Sequence, residues 1–215
     1  MMIDGWMRFY GRTKRRSRAM EKSGKLFAMA DKAADLTILG IVWLLTSIPV
    51  ITLGTSCTAL YYAVAKSVRA SEGRPVKEYF RAWRQNALQG CAATGLFLMA
   101  AALLMLDGYI MQGNVVFWII LSLFILLAAV GVYFFPVLSR FSLTLRQCFQ
   151  VSVVMAISCA PKTCLLLLTL ALCVAVFWIF PFLLPVLAAF YAYYTTFILE
   201  GIFREYTEPQ VTAHG

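Results

Sequence analysis

Residues 43–70 read WLLTSIPVITLGTSCTALYYAVAKSVRA, an apolar run with a proline and a glycine near its middle and two cations at its close. The Pro49 ring removes a backbone donor and disfavours a helical residue before it, so a helix arriving from the N-terminal side ends there. Gly54 permits the turn that follows, and Thr55 or Ser56 is placed to cap a second helix. The run therefore predicts a broken hairpin. Where that hairpin sits depends on the solvent in which the rest of the chain folds.

Composition settles the solvent. Of 215 residues 61% are apolar and 13% charged, and the mean hydropathy is +0.78, more apolar side chain than a soluble domain of this length buries. A bilayer core takes roughly 20 apolar residues per helix, so the runs at residues 87–106 and 115–138 are each one span. Residues 163–199 would make a straight helix of about 55 Å at roughly 1.5 Å per residue. That run contains Pro181 and Pro185 and predicts two helices turning at FPFLLP. The expected fold is an all-α transmembrane bundle of five or six membrane-embedded helices. Its expected organisation is a basic cytoplasmic segment at 1–24, one transmembrane domain at 25–205, and a flexible cytoplasmic tail at 206–215. The first apolar run follows a long basic stretch without a small-residue cleavage site, so an uncleaved chain is expected.

Charge gives the topology. Of 19 lysines and arginines, nine precede the first apolar run, six lie between Lys66 and Arg84, three are Arg140, Arg146 and Lys162, and one is Arg204. The connections at 107–114 and 180–185 carry none. By the positive-inside rule those two connections are external and the charged segments cytoplasmic. Both ends of the first run then face the cytoplasm, which predicts that a helix from about Lys25 to Ile48 goes out and a shorter helix from Thr55 comes back, as a tilted span or a re-entrant segment shielded by its neighbours. Both termini are expected inside. Residues 140–162 place Phe141, Leu145, Phe149, Val153 and Ala156 at helical spacing, beside Arg146, Gln147 and Gln150. That pattern predicts a helix along the membrane or under the bundle.

Residues 44–90, LLTSIPVITLGTSCTALYYAVAKSVRASEGRPVKEYFRAWRQNALQG, with YFFPVLSRF at 133–141 and APKTCLLL at 160–167, resemble the YesL family of small bacterial membrane proteins of unknown function. The matching features are the turn from Pro49 through Thr52 to Gly54, the helix carrying Thr58, Tyr61 and Tyr62, and then Phe80, Trp83 and Asn86 in order. The resemblance implies a bacterial cytoplasmic membrane protein, commonly encoded beside carbohydrate uptake and glycan-degradation systems. It brings no catalytic residues.

The residues themselves point away from catalysis. The single histidine, His214, is penultimate, and neither a Walker lysine loop nor a G-x-S-x-G or H-E-x-x-H motif is present. The six cysteines form no C-x-x-C pair, so no metal, cofactor or enzymatic activity is expected. Intramembrane charge, the usual pointer to a transport path, is nearly absent. The basic loop is more informative. Tyr79, Phe80 and Trp83 interleave with Lys77, Arg81 and Arg84 ahead of Asn86, which suits an interfacial helix attracted to anionic headgroups at about 1 kcal/mol per cation or a docking surface. Expected partners are anionic lipid and, from the resemblance, a carbohydrate ABC transporter subunit, or else a second copy of the chain. Nucleic acid is not expected, because membrane topology already accounts for the net charge of +9. The leading expectation is a non-enzymatic accessory or regulatory subunit. The alternative is a small transporter with its path near Pro49 to Tyr61.

Overall fold

A computed structural model describes residues 30–69, 74–112, 115–141 and 143–212. The chain forms two units, residues 1–35 and 36–215. In the first, residues 30–35 are described and are helical, while the basic segment 1–24 lies outside the described residues, as does His214. All that follows concerns the second unit.

Its elements are α1 (residues 36–46), a 3-10 turn (Val50–Thr52), α2 (Leu53–Ala63) running into a π-helical stretch (Val64–Arg69), α3 (Pro75–Gln85), α4 (Ala87–Ile110), α5 (Val115–Arg140), α6 (Leu145–Ser158), α7 (Ala160–Ile179), a second 3-10 turn (Pro181–Leu183) and α8 (Leu184–Thr212). No strand occurs among the described residues. Four helices, α4, α5, α7 and α8, are long and apolar enough to cross a membrane, and most of their surface is exposed, as lipid-facing helices require. The long run at 163–199 breaks where expected: α7 ends at Ile179 and α8 starts at Leu184. The helical backbone of α8 reaches Thr212.

The hub is the short helix α2, which touches α3, α4, α5 and α8. Ala59, Leu60, Tyr61 and Ala63 are buried, as are Thr55, Ser56 and Thr58. Such a helix needs no lipid-facing stripe, and its hydroxyls bond within protein: Thr58 Oγ1 donates to the Gly54 carbonyl at 2.8 Å.

Two sequence expectations are corrected here. Thr55 and Ser56 do not cap α2. It begins at Leu53, one turn earlier, because the 3-10 turn after Pro49 feeds directly into it. Nor does the Pro49–Gly54 break reach the face opposite the basic loop. The Gly54 N–H donates to Thr94 Oγ1 at 3.0 Å, and a Cβ at Gly54 would overlap the Phe135 ring. Thr94 stands 16 residues before the far end of α4, about 24 Å at roughly 1.5 Å per residue. Phe135 stands 20 residues after the start of α5, about 30 Å. The break therefore lies toward the Ala87 end of α4 and the Arg140 end of α5, on the side of α3. Within α1, Gly40 packs on the backbone of Pro185, next to the α7–α8 turn. The helix α2 is shielded on several sides by α3, α4, α5 and α8, as irregular backbone at membrane depth must be.

The amphipathic helix expected within 140–162 is present as α6, but its buried stripe is Cys148, Ser152, Met155 and Ala156, while Phe149 is 43% exposed. The start of the helix is fixed by a capping box in which the Thr144 N–H donates to Gln147 Oε1 at 3.0 Å. Thr163 donates to the Ala156 and Cys159 carbonyls, so the Tyr133 hydroxyl, 2.9 Å away, donates to Thr163 and ties α5 to the α6–α7 junction.

Candidate functional site

Two features have the makings of a functional site: the outer face of α3 and a cavity within the bundle. The helix α3 starts at Pro75, a residue suited to a first helical turn, and ends at Asn86, whose side-chain amide donates to the Ala82 carbonyl at 3.0 Å while its own carbonyl accepts the Gly90 N–H at 2.7 Å. Its inner face is Glu78, Tyr79 and Ala82, all buried. Tyr79 is fully buried. Thr46 spends its hydroxyl proton on the Val42 or Trp43 carbonyl, so it accepts from Ser56 Oγ at 3.1 Å and from the Tyr79 hydroxyl at 2.5 Å. Burial pushes the Tyr79 phenol above its ordinary value, which keeps it protonated as that donor. One tyrosine thus joins α3 to the ends of α1 and α2.

Beneath α3, Lys66 Nζ donates to Glu78 Oε2 at 3.1 Å and lies 5.7 Å from the Tyr62 ring centroid. The Glu78 hydrogen bond, with smaller help from Tyr62, raises the Lys66 ammonium above its ordinary value. Arg81 is 3.9 Å from the same carboxylate, with most of its side chain in solvent. Lys77, Phe80, Arg81 and Arg84 are exposed. Phe80 stands edge-on to Tyr79, with ring centroids 5.6 Å apart.

The candidate residues taken from the sequence consequently divide. Lys77, Phe80, Arg81 and Arg84 share the outer face of α3. Tyr79 and Trp83 face inward, Trp83 packing on the cluster that includes Leu39 and Leu60, and Asn86 holds the α3–α4 joint. In the hairpin, the Thr52 hydroxyl lies 2.7 Å from the Thr46 and Pro49 carbonyls and closes the turn. Gly54 admits α4 and α5, Thr58 bonds its own helix, Tyr61 lies in the core and Tyr62 flanks Lys66. These hairpin residues take part in the packing of the fold, and Tyr61 also lines the cavity.

The cavity, of about 370 Å³, is lined by α1, α2, α5, α7 and α8. Its wall is almost wholly hydrocarbon. Sequence reasoning missed it, since residues such as Ala128, Val174 and Ala188 carry no local signal of function. Trp43 and Tyr191 are among the lining residues, with Trp43 Nε1 and the Tyr191 hydroxyl themselves buried against protein. The Cys57 thiol is a polar neighbour of Trp43. Thr195, beside Tyr191, donates instead to the Tyr191 carbonyl at 2.7 Å. Among the described residues no group of three His, Cys, Asp or Glu side chains gathers to hold a metal.

Comparison with known proteins points to a family of unknown function. A family model described as "Protein of unknown function, DUF624" matches residues 36–108, the segment from α1 through most of α4. No curated protein and no solved structure matches the chain.

Proposed function

We propose that this integral membrane protein is a non-enzymatic accessory or regulatory subunit that docks to a partner through the outer face of α3. The observation that carries the reading is the division of α3: Tyr79 and Ala82 are locked into the bundle, while Lys77, Arg81 and Arg84 stand outward with Phe80 between them. A helix held so firmly presents its cations at fixed positions, which costs less ordering on binding than a free basic loop would. By the positive-inside rule this face is cytoplasmic. The Arg140–Glu200 ion pair joins the Arg140 end of α5 to α8, which supports reading the C-terminal part of α8 as cytoplasmic too. The cytoplasmic N-terminus is expected from the charge of the basic segment 1–24, which lies outside the described residues.

The resemblance to the YesL family supplies the proposed setting, a bacterial cytoplasmic membrane and a carbohydrate ABC transporter as partner. That part rests on the resemblance and not on geometry. Transport by this chain alone has less support, because the cavity offers few partners for the hydroxyls of a sugar.

The test is mild-detergent co-purification of the tagged full chain from its native membrane, with quantitative mass spectrometry, beside a variant carrying Lys77→Gln, Arg81→Gln and Arg84→Gln. Enrichment of a transporter subunit with the wild type and its loss from the variant is the expected result. Equal recovery with both proteins refutes docking through α3. Sugar flux in vesicles holding this protein alone would favour the transporter reading instead.

A further inference from the structure

The connection between α7 and α8 carries an inference that the docking reading does not touch. Two connections lack lysine and arginine, and they differ in kind. Residues 107–114 contain Asp107, Gln112 and Asn114, as a loop in water does, whereas residues 180–185 read FPFLLP. Trp178, Ile179, Phe180 and Phe182 stand out from the protein there, Phe182 being 91% exposed. In water these side chains would form an apolar patch of the kind that soluble surfaces avoid. The backbone of the turn also suits hydrocarbon, where each unsatisfied polar group is costly. Pro181 and Pro185 have no N–H to satisfy. Of the other four residues, Phe180 donates to the Val176 carbonyl, Leu183 to Phe180 and Leu184 to Pro181.

The neighbouring helices fix the depth of this turn. Arg140, the last residue of α5, pairs with Glu200 of α8. From that level α5 runs 25 residues back to Val115, about 38 Å, while α8 runs 16 residues back to Leu184, about 24 Å, at roughly 1.5 Å per residue. The cavity wall agrees: it follows α8 up to Leu184, the first residue of that helix, but follows α5 only to Ala128, about 20 Å from Val115. So does Gly40, which packs on the Pro185 backbone only six residues from Thr46, whose carbonyl the Thr52 hydroxyl joins to the break. Past the turn, α4 and α5 stand as a pair. Among the described residues of α5 none before Ala129 is buried, and beyond Thr94 in α4 only Gly108 is, facing Ile120.

We propose that the α7–α8 turn ends inside the bilayer, about 10 Å or more short of the far ends of α4 and α5, and that its partner there is lipid acyl chains, which close over Phe180 and Phe182. The FPFLLP connection is then the tip of a re-entrant hairpin and not an external loop.

The test is spin labelling of the full chain in a cysteine-free background, reconstituted in vesicles of dioleoylphosphatidylcholine, whose hydrocarbon core is about 30 Å thick. Labels are placed at Phe182→Cys, at Ile125→Cys near the level of the turn on α5, and at Val115→Cys at the far end of that helix. Each is measured for collisional access to oxygen, which concentrates in hydrocarbon, and to a water-soluble nickel chelate. The expected result is a label at position 182 that matches the one at 125, with high access to oxygen and low access to nickel, while the label at 115 meets more of the nickel chelate. Nickel access at 182 equal to that at 115 places the turn at the surface and overturns the proposal. Low access to both reagents at 182 means that protein, a second copy of this chain included, covers the turn, and overturns lipid as its partner. If the label at 182 disturbs the turn, Trp178→Cys, 82% exposed beside it, decides by the same comparison.

Discussion

Gly54→Ala separates two accounts of the same glycine by the sign of its effect. If Gly54 is present to let the chain turn, its surroundings are open. Since the residue lies inside α2 with ordinary helical backbone, alanine would then stabilise the helix by about 1 kcal/mol. The structure predicts the opposite. A Cβ there would sit 2.9 Å from Phe135 Cζ and nearer still to Phe135 Cε1 and Thr94 Oγ1, so the Phe135 ring and the Thr94 side chain, or the helices that carry them, must shift. Overpacking of this kind costs about 1 to 3 kcal/mol, and weakening the Gly54 N–H bond to Thr94 adds about 1 kcal/mol. After allowance for the gain in helix propensity, the net expectation is a loss of about 1 to 3 kcal/mol. Reversible unfolding of the purified protein in mixed micelles measures it, and a double-mutant cycle with Phe135→Leu assigns it. The smaller side chain should return at least about 0.5 kcal/mol of the loss. A Gly54→Ala protein as stable as wild type or more so, or a cycle with no coupling to Phe135, would refute the close approach of α2 to α5.

Other consequences follow from the same contacts. In a cysteine-free background, Ile48→Cys, 72% exposed beside the break, and Lys77→Cys on α3 should react with an impermeant maleimide from the same face of the membrane, while Gln112→Cys reacts from the opposite one. Labelling of positions 48 and 77 from opposite faces would restore a hairpin that crosses. Tyr79→Phe should cost about 1 kcal/mol through its lost hydroxyl and Tyr79→Ala about 3 to 5 kcal/mol through the cavity left behind, both read by the same unfolding assay, with equal losses excluding the bond to Thr46. The Lys66–Glu78 pair raises the lysine above its ordinary value of 10.5, so its stabilisation is complete below that value and disappears as pH climbs through the higher folded one. The stability gap between wild type and Lys66→Gln should accordingly be small, constant from about pH 7 to about pH 9, and vanish only at higher pH. A gap that closes between about pH 7 and about pH 9 would exclude the lysine as its source.

Much of the fold was legible in the sequence because a bilayer imposes it residue by residue. Runs of apolar side chains long enough for a hydrocarbon core declare α4 and α5, and Pro181 and Pro185 declare the α7–α8 turn, since each follows from local chemistry. The interleaved aromatic and basic residues of α3 likewise announced an amphipathic helix. Which of them look outward was not readable: Tyr79 and Phe80 are adjacent and both aromatic, yet one is fully buried and the other 44% exposed. The difference is made by Thr46 and Ser56, brought to Tyr79 from elsewhere in the chain. For α6, periodicity marked a helix but not its register, because apolar residues on both faces were available and contact with α5 and α7 selected the stripe at Cys148 and Met155.

The sequence by itself determined that the chain is a helical membrane protein, where its long spans lie, and that its first apolar run breaks at Pro49. Hydropathy and a missing backbone donor are properties of single residues and short windows. Only the tertiary structure decided that the break returns to the side of α3, that Gly54 is a point of contact and not a free turn, and that a cavity lies among α1, α2, α5, α7 and α8. Those depend on which surfaces meet, and a glycine's missing Cβ acquires meaning only from Thr94 and Phe135, residues forty and more positions away, that occupy its place.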